Sequence, residues 1–244
     1  MSFRLRPLLS EIKELYSKPR TPQRFKEYLA MLQGNTQDDM SLPIVGFNPM
    51  AKEHILDKIK ELEALRAEEL ITEVLREINL TTAGKTSDTI TVVLNVADDL
   101  MGVWTNRYTT DYDSKFKLSA FIERKFCVPH FWTSESYSAE LIKSRTRTYA
   151  YRMLYLLNHP MPMTLQDHVN QEAYVARKAN LNSDIDESAY KILDRFYQQH
   201  RDSDDHSLIF NFFYGDDASD SLGYRTYGIS GATGFDYVAD IQDQ

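Results

Sequence analysis

Residues 89–113, TITVVLNVADDLMGVWTNRYTTDYD, constrain the fold of this chain more than any other stretch. Seven of the nine residues from 89 to 97 are Thr, Val, Ile or Leu, a composition typical of a buried β-strand. The strand is followed by a dense series of polar and aromatic side chains, namely Asp98, Asp99, Trp104, Asn106, Arg107 and Tyr108. The stretch therefore predicts a central strand with chemically able groups at its carboxyl end.

Two further segments are predicted to form strands. Residues 126–132, FCVPHFW, contain Pro129, which has no N–H, so this strand should lie at a sheet edge or lose regular pairing midway. Residues 208–214, LIFNFFY, are apolar almost throughout, as expected of a strand covered on both faces. A short strand over 224–229 would raise the total from three to four.

The segments between the strands have the apolar spacing of helices. Strands separated by helices favour right-handed crossovers, which give parallel pairing. We therefore expect an α/β fold, with a small, mostly parallel sheet of three to four strands flanked by helices. The N-terminal third is predicted to be helical. The expected division is a helical N-terminal subdomain, residues 1–80, packed on an α/β core domain, residues 81–244.

Composition excludes some classes of partner. The formal net charge of −8 argues against broad binding to nucleic acid or to an anionic membrane, because both need positive surface. No run approaches the roughly 18 apolar residues of a membrane span, and the N-terminus becomes charged too early for a secretory signal. The single cysteine, Cys127, fits a reducing compartment. A cytoplasmic location is the default expectation.

Polar residues follow all three predicted strands, and the carboxyl ends of parallel strands meet at one edge of a sheet. Asp98, Glu135 and Asp216 should therefore lie together in a cleft. Asp98 or Glu135 would act as a base or a metal ligand, His130 is the weakest catalytic candidate, and Arg107 would clamp an anion. The predicted ligand-binding residues are Asn106, Arg107, Tyr108, Tyr214 and Asp216. A divalent metal ion is a possible cofactor, with its ligands unknown.

Other sequence patterns give weaker support for a functional site. Residues 79–86, NLTTAGKT, resemble a phosphate-binding loop, but a helix precedes them and a strand follows, the reverse of what such a loop needs. His168 and Glu172 have a spacing that metal ligands use, without a second histidine to match. Cys127 and His130 would point to opposite faces of a strand, which favours a buried cysteine. The basic run from Lys143 to Arg152 is explained by salt bridges to the acid excess.

The sequence leaves open whether the protein is catalytic at all. The first expectation is an enzyme that binds a small polar or anionic metabolite at the carboxyl edge of its sheet. The alternative is a non-catalytic binding or assembly protein that uses the helical N-terminal region, with a homo-oligomer as one form of such an assembly. The apolar segment SLPIVGFNPM and the long charged helix after it motivate that alternative.

Overall fold

The fold is taken from a computed structural model that describes residues 2–33, 42–43, 49–51, 53–82, 88–100 and 105–241. It is a mixed α/β structure in which helices account for 62% of the described residues. Backbone contacts divide the chain into two compact units, Met1–Ala150 and Tyr151–Gln244. The boundary predicted after residue 80 falls inside the first unit.

The strands of the first unit are all paired in parallel. They are β1 (Ser2–Leu5), β2 (Thr89–Val92), β3 (Asn95–Ala97), β4 (Phe126–Cys127) and β5 (His130–Trp132). One sheet has the order β1-β2-β4, and β3 pairs with β5 in a second, two-stranded sheet. The α/β class and the parallel pairing expected from the sequence are confirmed.

Each of the first two predicted strands is broken into two. Val93 and Leu94 separate β2 from β3, and Val128 and Pro129 separate β4 from β5. Around the break, Val93 N–H donates to the Cys127 carbonyl at 2.9 Å and Asn95 N–H to the Pro129 carbonyl at 3.0 Å. Pairing is thus lost midway at Pro129, as its missing N–H predicts.

The prediction of a helical N-terminal third is wrong, because the first element of the chain is a strand. β1 pairs in register with β2, Phe3 lying opposite Ile90, and its other edge is covered by a side chain. Phe3 N–H donates to Asn79 Oδ1 at 2.7 Å, while Asn79 Nδ2 donates to the Phe3 carbonyl at 2.9 Å. The amide of Asn79 thus takes the place of a neighbouring strand. Four residues are too few to show a strand period in sequence.

The helices of the first unit follow the predicted apolar stripes. They are α1 (Leu9–Ser17), α2 (Pro22–Gln33), α3 (Glu53–Ala64), α4 (Ala67–Thr82), α5 (Arg107–Phe116), α6 (Ser119–Glu123) and α7 (Ala139–Leu156), the last of which continues into the second unit. The long charged segment is divided into two helices at Arg66, whose φ of 54° ends α3 before α4. Within the described parts of the chain, no helix is long and apolar enough to cross a membrane.

The second unit is helical where a strand was predicted. Its helices are α8 (Leu165–Ala179), α9 (Glu187–His200), α10 (His206–Ser221) and α11 (Thr233–Asp240). Residues 208–214 form the first half of α10, so their prediction as the third strand is wrong. Each of these seven residues is buried, and a helix buried on all sides has the same uninterrupted apolar run as a buried strand. No strand forms at 224–229 either.

A cap signal distinguishes the helix from the strand. Asp205 Oδ1 accepts from the backbone N–H of Ser207 at 2.8 Å and of Leu208 at 3.4 Å, so this aspartate caps α10. An aspartate immediately before an apolar run is typical of a helix start. The same reasoning correctly predicts the capping box of Thr164 and Asp167 at α8.

Candidate functional site

The pairing of β3 with β5 brings two of the predicted polar strand exits together. Ala97 lies opposite Trp132, and Thr133 N–H donates to the Ala97 carbonyl at 3.0 Å. The chain then leaves β3 through Asp98 and Asp99 and leaves β5 through Thr133, Ser134 and Glu135. The candidate site consists of these exits together with side chains from α3, α5 and α7.

Asp98 is buried and holds a histidine that the sequence analysis did not single out. His54 Nε2 lies 3.0 Å from Asp98 Oδ1. Because a carboxylate only accepts, Nε2 carries the proton, and a neutral His54 then has an unprotonated Nδ1. The His54 side chain is 21% exposed. This is a carboxylate that orients a solvent-accessible imidazole, the arrangement of a general base.

Asp99 is tied to the other exit and to Arg107. Its Oδ1 accepts from Ser134 N–H at 2.9 Å, and its Oδ2 accepts from Ser134 Oγ at 2.6 Å and Arg107 Nη1 at 3.0 Å. The Thr133 hydroxyl lies between the two aspartates, 3.0 Å from Asp98 Oδ1 and 3.1 Å from Asp99 Oδ1. The hydroxyl has one proton, so it can donate a hydrogen bond to only one of the two carboxylates at a time.

Glu135 accepts from two arginines. Its Oε1 lies 3.1 Å from both Arg107 Nη2 and Arg145 Nη2, and its Oε2 lies 2.5 Å from Arg145 Nη1. Burial by itself would lower the pKa of Arg145, but hydrogen bonds to Glu135 and the charge of that carboxylate outweigh burial and raise it. Asp99, Arg107, Glu135 and Arg145 thus form a chain of alternating charges, which we call the edge network.

The edge network neutralises two of the predicted acids. With Asp99 and Glu135 bound to guanidinium groups, Glu135 is a poor candidate for a base or a metal ligand. No group of three His, Cys, Asp or Glu side chains in the described ranges is arranged to hold a metal ion. The Arg107 guanidinium is paired with both carboxylates, but its side chain is 43% exposed, and its Cζ lies 5.6 Å from the centroid of the Trp132 ring.

His130 does not reach the edge network. It is buried, its Nδ1 donates to the Val128 carbonyl at 2.9 Å, and its Nε2 has no partner. The rings of Trp132 and Tyr149 each lie 6.0 Å from the His130 ring, measured between centroids. Burial lowers the pKa of His130 to about 4, so the imidazole is neutral and structural at neutral pH.

This lowered pKa predicts an acid-sensitive fold. At pH values between the ordinary histidine pKa of about 6.5 and the folded-state pKa of about 4, His130 is protonated in the unfolded chain and neutral in the folded chain. The free energy of unfolding should therefore fall as the pH drops through this window. The His130 C2–H resonance should titrate with a midpoint near 4 by NMR. A midpoint at the ordinary value would contradict the burial.

The remaining residues predicted near residue 106 have structural or unassigned roles. Asn106 caps α5, its Oδ1 accepting from Thr109 N–H at 3.1 Å, which explains an asparagine there without a ligand. Tyr108 is exposed on the first turn of α5. Trp104, expected to anchor the loop, lies outside the described residues.

Tyr214 and Asp216 belong to the second unit, and the argument that placed them at a strand exit no longer applies. Tyr214 is buried and stacks on Phe210 at 4.9 Å between centroids. Asp216 accepts from Asn211 Nδ2 at 3.0 Å and from the backbone N–H groups of Tyr227 and Gly228 at 2.9 Å each. Burial alone would raise the pKa of Asp216, but these bonds outweigh it and lower the pKa. Asp216 thus secures a turn.

The weaker patterns of the sequence also find explanations. The basic run is paired with acids: Lys143 with Glu73, Arg145 with Glu135, Arg147 with Glu77 and Arg152 with Glu172. This confirms salt bridging as its role, and it accounts for Glu172 of the His168 and Glu172 pair. Cys127 is buried, as predicted. The AGKT segment lies outside the described residues.

Sequence reasoning missed His54, Thr133 and Arg145 as members of the site. Asp98 and His54 are 44 positions apart, and no spacing rule connects a helix residue to a strand exit at that distance. Thr133 had a usable signal, since it directly follows β5. Arg145 had one too, because it lies ten residues after Glu135 on the next helix.

Comparisons of this chain with protein-family models, with curated protein sequences and with solved structures found no match. A functional proposal for it therefore depends on the chemistry of its own residues. In the first unit that chemistry centres on the imidazole beside Asp98 and the guanidinium of Arg107.

Proposed function

We propose that this protein is an enzyme that binds a small anionic metabolite at the carboxyl edge of β3 and β5 and uses His54 as its general base. The observation that carries the proposal is the 3.0 Å contact between His54 Nε2 and the buried Asp98 carboxylate. A buried carboxylate fixes the tautomer and stabilises the imidazolium that forms when Nδ1 takes a proton. Asp98 is a positioning residue in this scheme.

Arg107 supplies the second part of the site. Its ion pairs with Asp99 and Glu135 fix the guanidinium in place, so an incoming carboxylate or phosphate meets a group that has already lost its conformational freedom. Glu135 changes role from the predicted base to the support of Arg107. The neighbouring aromatic ring of Trp132 adds a cation–π contact that helps to hold the guanidinium.

The test is a ligand screen with two matched variants. Ligand-observed NMR against a library of small carboxylic acids and phosphate esters should identify binders, and His54→Ala should weaken the best binder about tenfold. Asp98→Asn keeps the side-chain shape but removes the charge behind the imidazole. Any turnover found should fall about 10²-fold in this variant.

The control is His159→Ala, which removes an exposed histidine stacked on Tyr155 at 4.1 Å between centroids. This variant should bind as the unaltered chain does. If no library member binds, or if His54→Ala and Asp98→Asn bind every ligand normally, the proposal is wrong.

The alternative of a non-catalytic assembly protein stays a prediction. Phe25 and Leu29, one turn apart on α2, are exposed apolar residues that favour it. Most of the SLPIVGFNPM segment lies outside the described residues. Light scattering on the full chain measures its oligomeric state. A chain shortened to residues 80–244 is unsuitable for this measurement, because it would lack β1 and expose the edge of β2.

A further inference from the structure

A cavity of about 340 Å³ lies where α1 turns into α2, against the beginning of α3. The chain leaves α1 at Lys18, whose extended backbone turns it away from the helix axis, and α2 begins four residues later at Pro22. Four of the nine residues that line the cavity are charged: Lys18, Arg20 and Arg24 from the turn and α2, and Glu53 from α3. None of these residues belongs to the edge network.

Arg24 is the residue that makes this cavity unusual. Its relative exposure is 3%, and its Cζ lies 4.5 Å from the centroid of the Tyr16 ring. The guanidinium donates to two backbone carbonyls, Lys18 at 3.2 Å and Ala51 at 3.5 Å, and its Nε has no partner. None of the ion pairs among the described residues includes Arg24, so within this part of the chain the guanidinium is buried without a carboxylate partner.

Burying a guanidinium without a counter-charge is unfavourable, because the charged group loses its hydration and gains no full charge in exchange. Burial accordingly lowers the pKa of Arg24, and the attraction of Glu53, which lies beyond ion-pair distance, does not offset it. Two carbonyl dipoles and one aromatic face supply only partial negative charge. The residues that the structure describes around this site therefore lack the full negative charge that would balance Arg24.

The other charges around the cavity also favour an anion. Arg20 is exposed and has no ion pair with any residue that the structure describes, so its charge is available to a ligand. Lys18 is already neutralised by Glu14 at 3.1 Å and Glu27 at 2.8 Å. Glu53 is the single carboxylate on the cavity wall as described, against two arginines without carboxylate partners.

We infer that this cavity is a binding site for the phosphoryl group of a small metabolite, held by the Arg24 and Arg20 guanidinium groups. A phosphoryl group carries enough charge to balance both arginines, and its oxygens match the planar donor fork of arginine. The cavity volume is at the lower end of the range for ligand pockets, with room for a phosphate and a small organic group. The site does not depend on the role proposed for His54.

The test measures binding of inorganic phosphate to the full chain. Phosphate should raise the melting temperature beyond sodium chloride of equal ionic strength, because a ligand that binds only the folded state stabilises it. In two-dimensional NMR it should shift the backbone amides of the turn around Arg20. Acetate should bind more weakly, and an equal effect of acetate would overturn the assignment to a phosphoryl group.

Variants separate this site from general electrostatics. Arg24→Gln should weaken phosphate binding about tenfold, the loss of one strong charge-assisted contact. Because Arg24 is buried, Arg20→Gln provides a second, exposed variant that should weaken binding severalfold without loss of the fold. The control is Arg225→Gln, which removes an exposed arginine lying 5.1 Å from the Tyr227 ring in the second unit.

The arms have distinct outcomes. Normal phosphate binding in Arg225→Gln, with loss in Arg20→Gln and Arg24→Gln, supports the site whatever becomes of the proposed enzyme. Equal binding in Arg20→Gln, folded Arg24→Gln and the unaltered chain would overturn it. So would a phosphate effect no larger than that of chloride.

Discussion

Replacing Glu172 by alanine should lower the free energy of unfolding of the second unit by about 3–5 kcal/mol, because it breaks a buried ion pair from one side. Arg152 Nε lies 2.6 Å from Glu172 Oε1 and Arg152 Nη2 lies 2.7 Å from Glu172 Oε2. Both side chains are only 4% exposed. The variant leaves the guanidinium buried without its carboxylate, and that desolvation cost is the main source of the loss.

The same helix provides the control. Arg147 Nη2 lies 3.0 Å from Glu77 Oε2, but these side chains are 32% and 63% exposed. Water screens this pair, so Glu77→Ala should cost about 0–1 kcal/mol. Urea unfolding followed by circular dichroism gives the total effect. Native-state hydrogen exchange of the α8 amides locates it in the second unit.

A double variant makes the argument stricter. Arg152→Leu with Glu172→Leu removes both charges and keeps apolar volume, so it should recover much of the stability that Glu172→Ala loses. If Glu172→Ala is no more destabilising than Glu77→Ala, then burial is not what gives this ion pair its effect. The Arg152–Glu172 ion pair would then contribute no more to stability than an exposed ion pair of the same basic run.

The parts of the fold that sequence predicted are those governed by short-range rules. Seven Thr, Val, Ile or Leu residues within 89–97 specify a strand, Pro129 specifies where its neighbour breaks, and helical spacing between the strands makes the pairing parallel. Parallel pairing by itself then places Asp98 and Asp99 beside Glu135. The meeting of these two exits required no knowledge of tertiary structure.

The wrong predictions come from sequence patterns that fit a helix and a strand equally well. Residues 208–214 are buried on every side, and an all-apolar run has no period that could distinguish a helix from a strand. The signal that distinguishes the helix is the cap at Asp205, which directly precedes the apolar run. Placing Tyr214 and Asp216 in the cleft depended on that strand, so one wrong assignment of secondary structure removed two of the eight predicted site residues.

Long-range pairing accounts for the rest. His54 and Arg24 lie on helices where each looks like an ordinary polar residue. Their special environments come from Asp98 and from the turn between α1 and α2. The role of each residue depends on which other charged group lies near it or is absent from its surroundings. Residue types and spacing along the chain do not contain that information.

Gly215→Ala should destabilise the second unit by about 3 kcal/mol or more, because both the backbone and the space at this position exclude a side chain. Gly215 interrupts α10 with φ of 78° and ψ of −178°, a region that essentially only glycine occupies. A Cβ atom there would lie 2.2 Å from the Gly231 carbonyl oxygen. The obstacle is backbone, which cannot rotate away as a side chain would.

Gly223→Ala is the matched control. Its φ is also positive, at 70°, but apart from Gly223 itself and its two chain neighbours no residue has an atom within 4 Å of the added Cβ. Only the backbone strain remains, so the expected cost is about 1–2 kcal/mol. Thermal and urea unfolding of the two variants should therefore differ clearly, with the larger loss at Gly215. Equal losses would mean that the approach of Gly215 to Gly231 is not close in solution. The turn secured by Asp216 would then have more freedom than its hydrogen bonds to Tyr227 and Gly228 indicate.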